Sequence, residues 1–232
     1  MSFLKDSLSI LKKNELTFVK KETESENIYR FHFEMDEPFT WKAGQHGLFT
    51  ITHKKIKDST RPLTVASSPT ENVIKVTTKI SEQPSEFKKA LLELENGMKI
   101  RMNGPVGSFY LTDRSPTLFI AGGIGITPFR AMVKQLESEG KGTNDVTLLY
   151  VDHHHLYKDE LVQISASTSV DVCFLHSREE LHPEINHFVR TYQNRAHYFI
   201  AGSKEMVKSV NQYLKDHSIS VRNIKKDTFT GY

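Results

Sequence analysis

The sequence predicts two domains: a small six-stranded β-barrel, then an α/β domain built on a parallel sheet. Three observations predict it. Short segments of the first half alternate apolar and polar residues with period two, the rhythm changes near Thr117 to strand, helix, strand, and a glycine-rich turn marks the first strand-to-helix passage of the second half. With 232 residues, 38% hydrophobic and 25% charged, the chain can bury one large core or two modest ones.

In residues 27–34, Tyr29, Phe31 and Phe33 alternate with Arg30, His32 and Glu34, the pattern of a strand with one buried face. Similar runs at 16–21, 45–52, 62–66, 73–80 and 98–102 bring the count to six strands, separated by turns such as Lys42-Ala43-Gly44 and Ser67-Ser68-Pro69. One helix interrupts them: Ser85 caps it, and Phe87, Leu91, Leu92 and Leu94 form its apolar stripe before Asn96-Gly97. The second half offers strands at 118–121, 146–151, 170–175, 198–201 and 219–224, with helices at 129–136, 156–164, 185–192 and 206–214 between them. The boundary falls near Asp113 to Pro116, giving domains 1–113 and 114–232. The first 14 residues read either as an amphipathic helix, with Phe3, Leu4, Leu8 and Leu11 on one face, or as a loosely packed lead-in.

Composition excludes several classes. No run approaches the roughly 20 apolar residues of a membrane span, and mean hydropathy is −0.45. The opening residues lack the apolar core and cleavage site of a secretory leader, so a cytoplasmic protein is expected. A net charge of +3 is too small for a nucleic-acid binder, although residues 1–110 hold the whole excess, with 17 basic against 14 acidic side chains. Cys173 is the only cysteine, so the chain has neither an internal disulfide nor the ligands of an iron-sulfur cluster, and redox chemistry needs another carrier.

The sharpest motif is Ala121-Gly122-Gly123-Ile124-Gly125-Ile126-Thr127-Pro128, between the first strand of the second half and its helix. Glycines there let a backbone approach a pyrophosphate, and the helix start offers N–H groups to it. Without a ligand it is a tight strand-to-helix turn. The second motif is Arg61-Pro62-Leu63-Thr64, followed by Val65-Ala66-Ser67-Ser68-Pro69, which composition alone reads as a surface arginine beside a strand. The third, Gly104-Pro105-Val106-Gly107-Ser108-Phe109, closes the first half.

Together and in this order, the motifs resemble the ferredoxin-NADP reductase superfamily over roughly residues 15–232. The resemblance implies an antiparallel six-stranded β-barrel that binds FAD, followed by an α/β parallel-sheet domain that binds NADPH or NADH. By position, Arg61 is similar to the arginine that pairs with the flavin pyrophosphate, Pro62 and Leu63 lie along the flavin, and Thr64 matches the hydroxyl beside flavin N5. Leu63 stands where the family usually has tyrosine, which loses ring stacking and weakens the hold on FAD. Val76, Thr77, Thr78 and Lys79 resemble the strand whose backbone touches the cofactor, and Gln83, Pro84 and Ser85 the turn that places phosphate at a helix start; Ser85 is otherwise simply an N-cap. Gly122, Gly123, Ile124, Gly125, Thr127 and Pro128 match the nicotinamide-nucleotide loop. Ala201-Gly202-Ser203 stands where many relatives have Cys-Gly-Pro, so the thiol beside the nicotinamide is absent. Asp227-Thr228-Phe229-Thr230-Gly231-Tyr232 resembles the family's aromatic ending, placing Phe229 and Tyr232 at the flavin edge after the last strand; the other reading is a frayed tail.

Three features stay open. Ser177-Arg178 either holds the 2′-phosphate of NADP or lies in a solvated loop. Asp152-His153-His154-His155 invites a metal, but consecutive imidazoles seldom converge on one ion, and no metal is assigned. Lys54, Lys55 and Lys57 form either a solvated hairpin or a dock for an acidic partner.

The implied function is an FAD-dependent NAD(P)H reductase, with Thr64, Ala201, Phe229 and Tyr232 at the reacting centre. Its electrons pass to a separate acceptor: ferredoxin, flavodoxin, an oxygenase component or a small molecule. A free-flavin or quinone reductase is the rival enzyme, and a non-catalytic nucleotide-binding or electron-transfer subunit the rival of another class.

Overall fold

A computed structural model describes residues 12–140 and 145–229. The chain divides between Tyr110 and Leu111 into two compact units, each with its own core. The first is a six-stranded antiparallel sheet of β1 (Lys13–Ser25), β2 (Ile28–Met35), β3 (His46–Ile51), β4 (Thr60–Thr64), β5 (Ile74–Lys79) and β6 (Lys99–Val106), ordered β4-β3-β6-β1-β2-β5. It curls into a barrel whose edges are β4 and β5. The Ala66 N–H bonds the Lys75 carbonyl at 2.8 Å, tying the segment after β4 to β5. The alternating aromatics fill the interior: Phe18, Phe31, Phe33 and Phe49 are buried with ring centroids 5.7 to 6.5 Å apart. Each such ring contributes about 1.5–3 kcal/mol by leaving water. A seven-residue helix, α1 (Glu86–Leu92), follows β5 and packs Phe87, Ala90 and Leu91 inward.

The second unit is a five-stranded parallel sheet of β7 (Thr117–Gly122), β8 (Val146–Val151), β9 (Val170–Leu175), β10 (His197–Ser203) and β11 (Ile224–Phe229), ordered β11-β10-β7-β8-β9. Helices cover both faces, which is why β7 and β10 read as nearly unbroken apolar runs. On one face α4 (Leu181–Tyr192) and α5 (Lys204–Asp216) enclose Leu118, Ile120, Tyr198 and Ile200. Phe119 points the other way, stacked on Phe129 of α2 (Ile126–Glu139) at 4.7 Å and edge-on to Phe199 at 5.5 Å. Beside α2 lies α3 (Lys158–Ser167). The buried Arg130 of α2 grips Glu160 of α3 through Nε at 3.0 Å and through Nη2.

Several expectations are corrected. The last strand is β11, residues 224–229, not 219–224. Ile219 is apolar because it closes α5: Ser218 turns to φ +62°, its N–H bonds the Lys215 carbonyl, and the Ile219 N–H bonds the Leu214 carbonyl at 3.0 Å. Phe229 therefore ends β11 opposite Ser203 instead of following the strand. The fourth strand starts at Thr60 and stops at Thr64, and Val65 and Ala66 lie beyond it. The expected N-terminal helix covers residues 1–14, of which 1–11 lie outside the described residues, while Lys13 and Asn14 belong to β1. Asn14 is buried, its amide bonded to the Met102 and Gly104 carbonyls. Tyr232 also lies outside the described residues.

Candidate functional site

In the second unit the chain runs outward from β7 through β8 to β9, then returns to the opposite side of β7 as β10. The strand order therefore reverses between β7 and β10, where parallel sheets bind ligands beyond their carboxyl ends. The glycine motif sits at that end of β7. Gly123 adopts φ +55° with open space where a Cβ would stand. Gly125 does a different job, since a Cβ there would lie 2.4 Å from the Ala201 carbonyl oxygen at the end of β10. Gly122 and Gly202 both rest on Met206 of α5, whose sulfur would lie 2.1 Å from a Cβ on Gly122. Three glycines thus bring the ends of β7 and β10 together, and one leaves room beyond them.

Ile124, Thr127, Pro128 and Ala201 are buried, so they shape the loop and present no side chain to a ligand. The Thr127 hydroxyl donates to the Ile124 carbonyl at 3.1 Å. Ser203 caps α5, accepting the Met206 N–H at 3.3 Å. Ser177 and Arg178 follow β9 on the same edge of the sheet, with Arg178 exposed. Glu179 lies with them, and its own backbone N–H and the Ser177 hydroxyl hold its carboxyl below the usual range. The histidine run separates: His153 and His154 are exposed, whereas His155 is 3% exposed with Nε2 2.9 Å from the Leu175 carbonyl. Among the described residues no group of three or more His, Cys, Asp or Glu could hold a metal ion.

In the first unit, Arg61, Pro62, Leu63 and Thr64 lie together on β4, paired with Phe49, Leu48, Gly47 and His46 of β3. Arg61 is half exposed, with Nη1 on the Thr60 carbonyl at 2.9 Å and Nη2 3.5 Å from Asp58. Leu63 packs against the barrel core and Thr64 is buried. None of the described residues hydrogen-bonds the Thr64 hydroxyl, which leaves its donor and acceptor capacity to a ligand. Val76, Thr77, Thr78 and Lys79 form the end of edge strand β5. Ser85 caps α1 by accepting the Lys88 N–H at 3.4 Å, and Gln83 and Ser85 are exposed beside Pro84. The Lys88 ammonium bonds the Lys79 carbonyl at 2.7 Å, and burial, then the Lys79 charge, pushes its pKa down.

Sequence reasoning missed the supports of these loops. Met206 under two glycines and the Trp41 indole, bonded to the Ser67 carbonyl at 3.0 Å, carry no local motif. Lys54, expected in a solvated hairpin or a dock, forms an exposed ion pair with Glu93.

Residues 15–110 match the oxidoreductase FAD-binding domain and residues 119–212 the oxidoreductase NAD-binding domain. The chain belongs to the ferredoxin-NADP reductase superfamily. The toluate 1,2-dioxygenase electron transfer component of Pseudomonas putida is 28% identical over 146 residues, 57% of this chain and 43% of that protein. A flavohemoprotein of Halalkalibacterium halodurans is 21% identical over 239 residues, 90% of this chain and 58% of its own. The chain thus spans about half the length of these curated relatives. Ferredoxin-NADP+ reductase from Plasmodium falciparum, solved with 2′P-AMP, superposes with a TM-score of 0.79 at 18% identity, covering 95% of this chain and 97% of that one. By these matches residues 15–110 form an FAD-binding domain and residues 119–212 an NAD-binding domain of oxidoreductase type. Among the described residues no helix is long and apolar enough to cross a membrane.

Proposed function

We propose that this chain takes a hydride from NADPH or NADH onto FAD and hands the electrons to a separate acceptor, in the cytoplasm where reduced nicotinamide nucleotides are made. The observation that carries this reading is the reversal of strand order between β7 and β10, flanked by Gly123 on one side and Ala201-Gly202 on the other. Gly122 to Gly125 and the start of α2 offer backbone to the nucleotide phosphates, and the buried Thr127 and Pro128 hold that backbone in place. Ala201 and Gly202 present only backbone to the nicotinamide. Ser177 and Arg178 take the 2′-phosphate when the nucleotide is NADPH.

On the first unit, Arg61 exchanges the exposed Asp58 for the flavin phosphates, the edge of β5 from Val76 to Lys79 offers backbone groups, and Gln83-Pro84-Ser85 completes the cradle. Thr64 directs its hydroxyl to flavin N5. FAD, when bound, supplies the two-electron chemistry that no side chain of this protein can. Phe229 and Tyr232 act as a gate that shields the flavin and yields to the nicotinamide.

Names among the relatives support a separate acceptor: the toluate protein is an electron transfer component, and a structural neighbour with a TM-score of 0.76 is the Amycolatopsis cytochrome P450 reductase GcoB. The test is anaerobic titration of the purified protein with each nucleotide, following flavin absorbance, then ferricyanide reduction. A yellow protein that bleaches and turns over supports the reading. A colourless protein that needs added flavin identifies a free-flavin reductase, and Leu63 in place of an aromatic favours that second reading. No turnover under either condition identifies a non-catalytic subunit.

A further inference from the structure

One cation of the first unit sits where the function above gives it no role. Lys88 lies in the first turn of α1, between Phe87, which packs into the barrel, and the exposed Lys89. A lysine beside the apolar stripe of a short surface helix ordinarily reaches for water. This one turns back toward the sheet and is half-buried. Its ammonium bonds the Lys79 carbonyl at the end of β5, at 2.7 Å, and its backbone N–H bonds the Ser85 hydroxyl at 3.4 Å. The next peptide of the chain is pinned as well, since the Ile80 N–H bonds the Asn27 carbonyl at 2.7 Å.

Its surroundings make that placement costly. Burial, then the like charge of Lys79, pushes the Lys88 pKa down, so two ammonium groups are drawn together and one of them is partly stripped of water. A neutral carbonyl offsets only part of that cost. The carboxylates nearest in sequence are directed elsewhere or exposed: Glu82 is exposed in the turn after β5, Glu86 accepts the Lys57 N–H at 3.2 Å, and Glu93 pairs with Lys54. The contact of Glu86 also ties this turn of α1 to the strand of Arg61, because Asp58, next after Lys57, lies 3.5 Å from Arg61 Nη2. Arg61 of β4, Lys79 of β5 and Lys88 of α1 are thus joined by consecutive contacts between three elements. Like charges gathered in this way are relieved by an anion that bears more than one charge.

We propose that Lys88, with Lys79 beside it, determines which flavins this unit holds: the paired ammonium groups engage a flavin phosphate, so that phosphorylated flavins are retained and riboflavin, which has the same ring and no phosphate, is not. This rests on reading Arg61 and the end of β5 as the flavin site. Arg61 brings a planar fork, whereas Lys88 brings a point charge on a flexible stem, fixed in place by the Lys79 carbonyl. Because Leu63 offers the flavin ring no aromatic face, the phosphate end carries the larger share of the discrimination.

The test is fluorescence titration of the full chain, freed of bound flavin, with FAD, FMN and riboflavin. Lys88→Met is expected to weaken FAD about ten- to hundredfold and riboflavin less than about twofold, and Lys88→Arg, which keeps the charge, to stay within about threefold of wild type for all three. FMN carries the ribityl phosphate alone, so it falls with FAD if that phosphate is the one held and follows riboflavin if the other is. Lys79→Met keeps the carbonyl that holds Lys88 and should lower the preference for FAD over riboflavin by about threefold or more; urea unfolding establishes which variants are folded. Equal losses for FAD and riboflavin, or no loss for either, in a folded Lys88→Met overturn the proposal. If Lys88→Met does not fold, an unchanged preference in Lys79→Met overturns it. Arg61→Ala tests the underlying reading. If it weakens FAD while neither lysine variant does, only this inference fails. If it leaves FAD unchanged, or if wild type binds none of the three flavins, the flavin reading of this face fails as well.

Discussion

The carbonyl oxygen of Ala201 occupies the space a side chain on Gly125 would need, 2.4 Å from the would-be Cβ. Two strands distant in sequence therefore meet over one missing methyl group. Gly125→Ala should destabilise the second unit by about 1–3 kcal/mol, because backbone and not a flexible side chain must move. Gly123→Ala meets only the left-handed backbone penalty, about 1–2 kcal/mol, with open space beyond. Urea unfolding of both variants should show a larger loss for Gly125→Ala. The reverse order would mean that the loop does not rest on β10.

Arg61→Ala should weaken FAD by about 1.5–3 kcal/mol, the scale of a charge-assisted contact. Its contacts within the chain are the Thr60 carbonyl and the exposed Asp58, so the fold should not notice the change. Fluorescence titration of the apoprotein measures the affinity, and unchanged binding removes Arg61 from the flavin site.

Arg178→Ala should raise KM for NADPH more than for NADH, since only the former carries the phosphate that a guanidinium reads. Equal changes would point to a general electrostatic effect at this edge.

On the outer face of β1 and β2, hydrogen bonding to Lys20, then to His32, holds the Glu22 carboxyl down at about 2 from 4.5. A carboxylate with a depressed folded-state pKa stabilises fully above its unfolded value and loses that stability as pH falls through the folded one. Glu22 is 36% exposed, so screening by solvent leaves about 1 kcal/mol. Unfolding of wild type and Glu22→Gln should differ by that much above pH 5 and converge between pH 4.5 and pH 2. A difference that persists at pH 2 would assign the effect to packing.

Truncation after Thr228 removes Phe229 but keeps the pairs of β11 with β10 from Ile224 to Thr228. The truncated protein should fold and bind FAD, yet show a shifted flavin spectrum and altered nucleotide affinity. Stopped-flow bleaching with NADPH and NADH checks it, and identical traces would make the tail a surface feature.

Much of this molecule was legible in its sequence because its signals are local. Alternation at Tyr29, Phe31 and Phe33 is enough to place β2, and Ser85 before Phe87 is enough to start α1. What escaped depends on partners far along the chain. Ile219 resembles a strand residue until the turn of Ser218 folds it back on Leu214. His155 resembles its two exposed neighbours until β9 supplies the Leu175 carbonyl. Met206 resembles any helix residue until Gly122 and Gly202 rest on its sulfur.

The grip of Arg130 on Glu160 has a bearing on protein engineering. It fastens the helix that begins at the glycine turn to the helix that follows the β8 loop, so those two loops should shift together or not at all. Residues 176–180, after the edge strand β9, stand outside that clamp. On the proposed reading of Ser177-Arg178, grafting those five positions from a donor of opposite coenzyme taste should change the preference without moving either helix, whereas redesign of the glycine turn would have to carry both helices along.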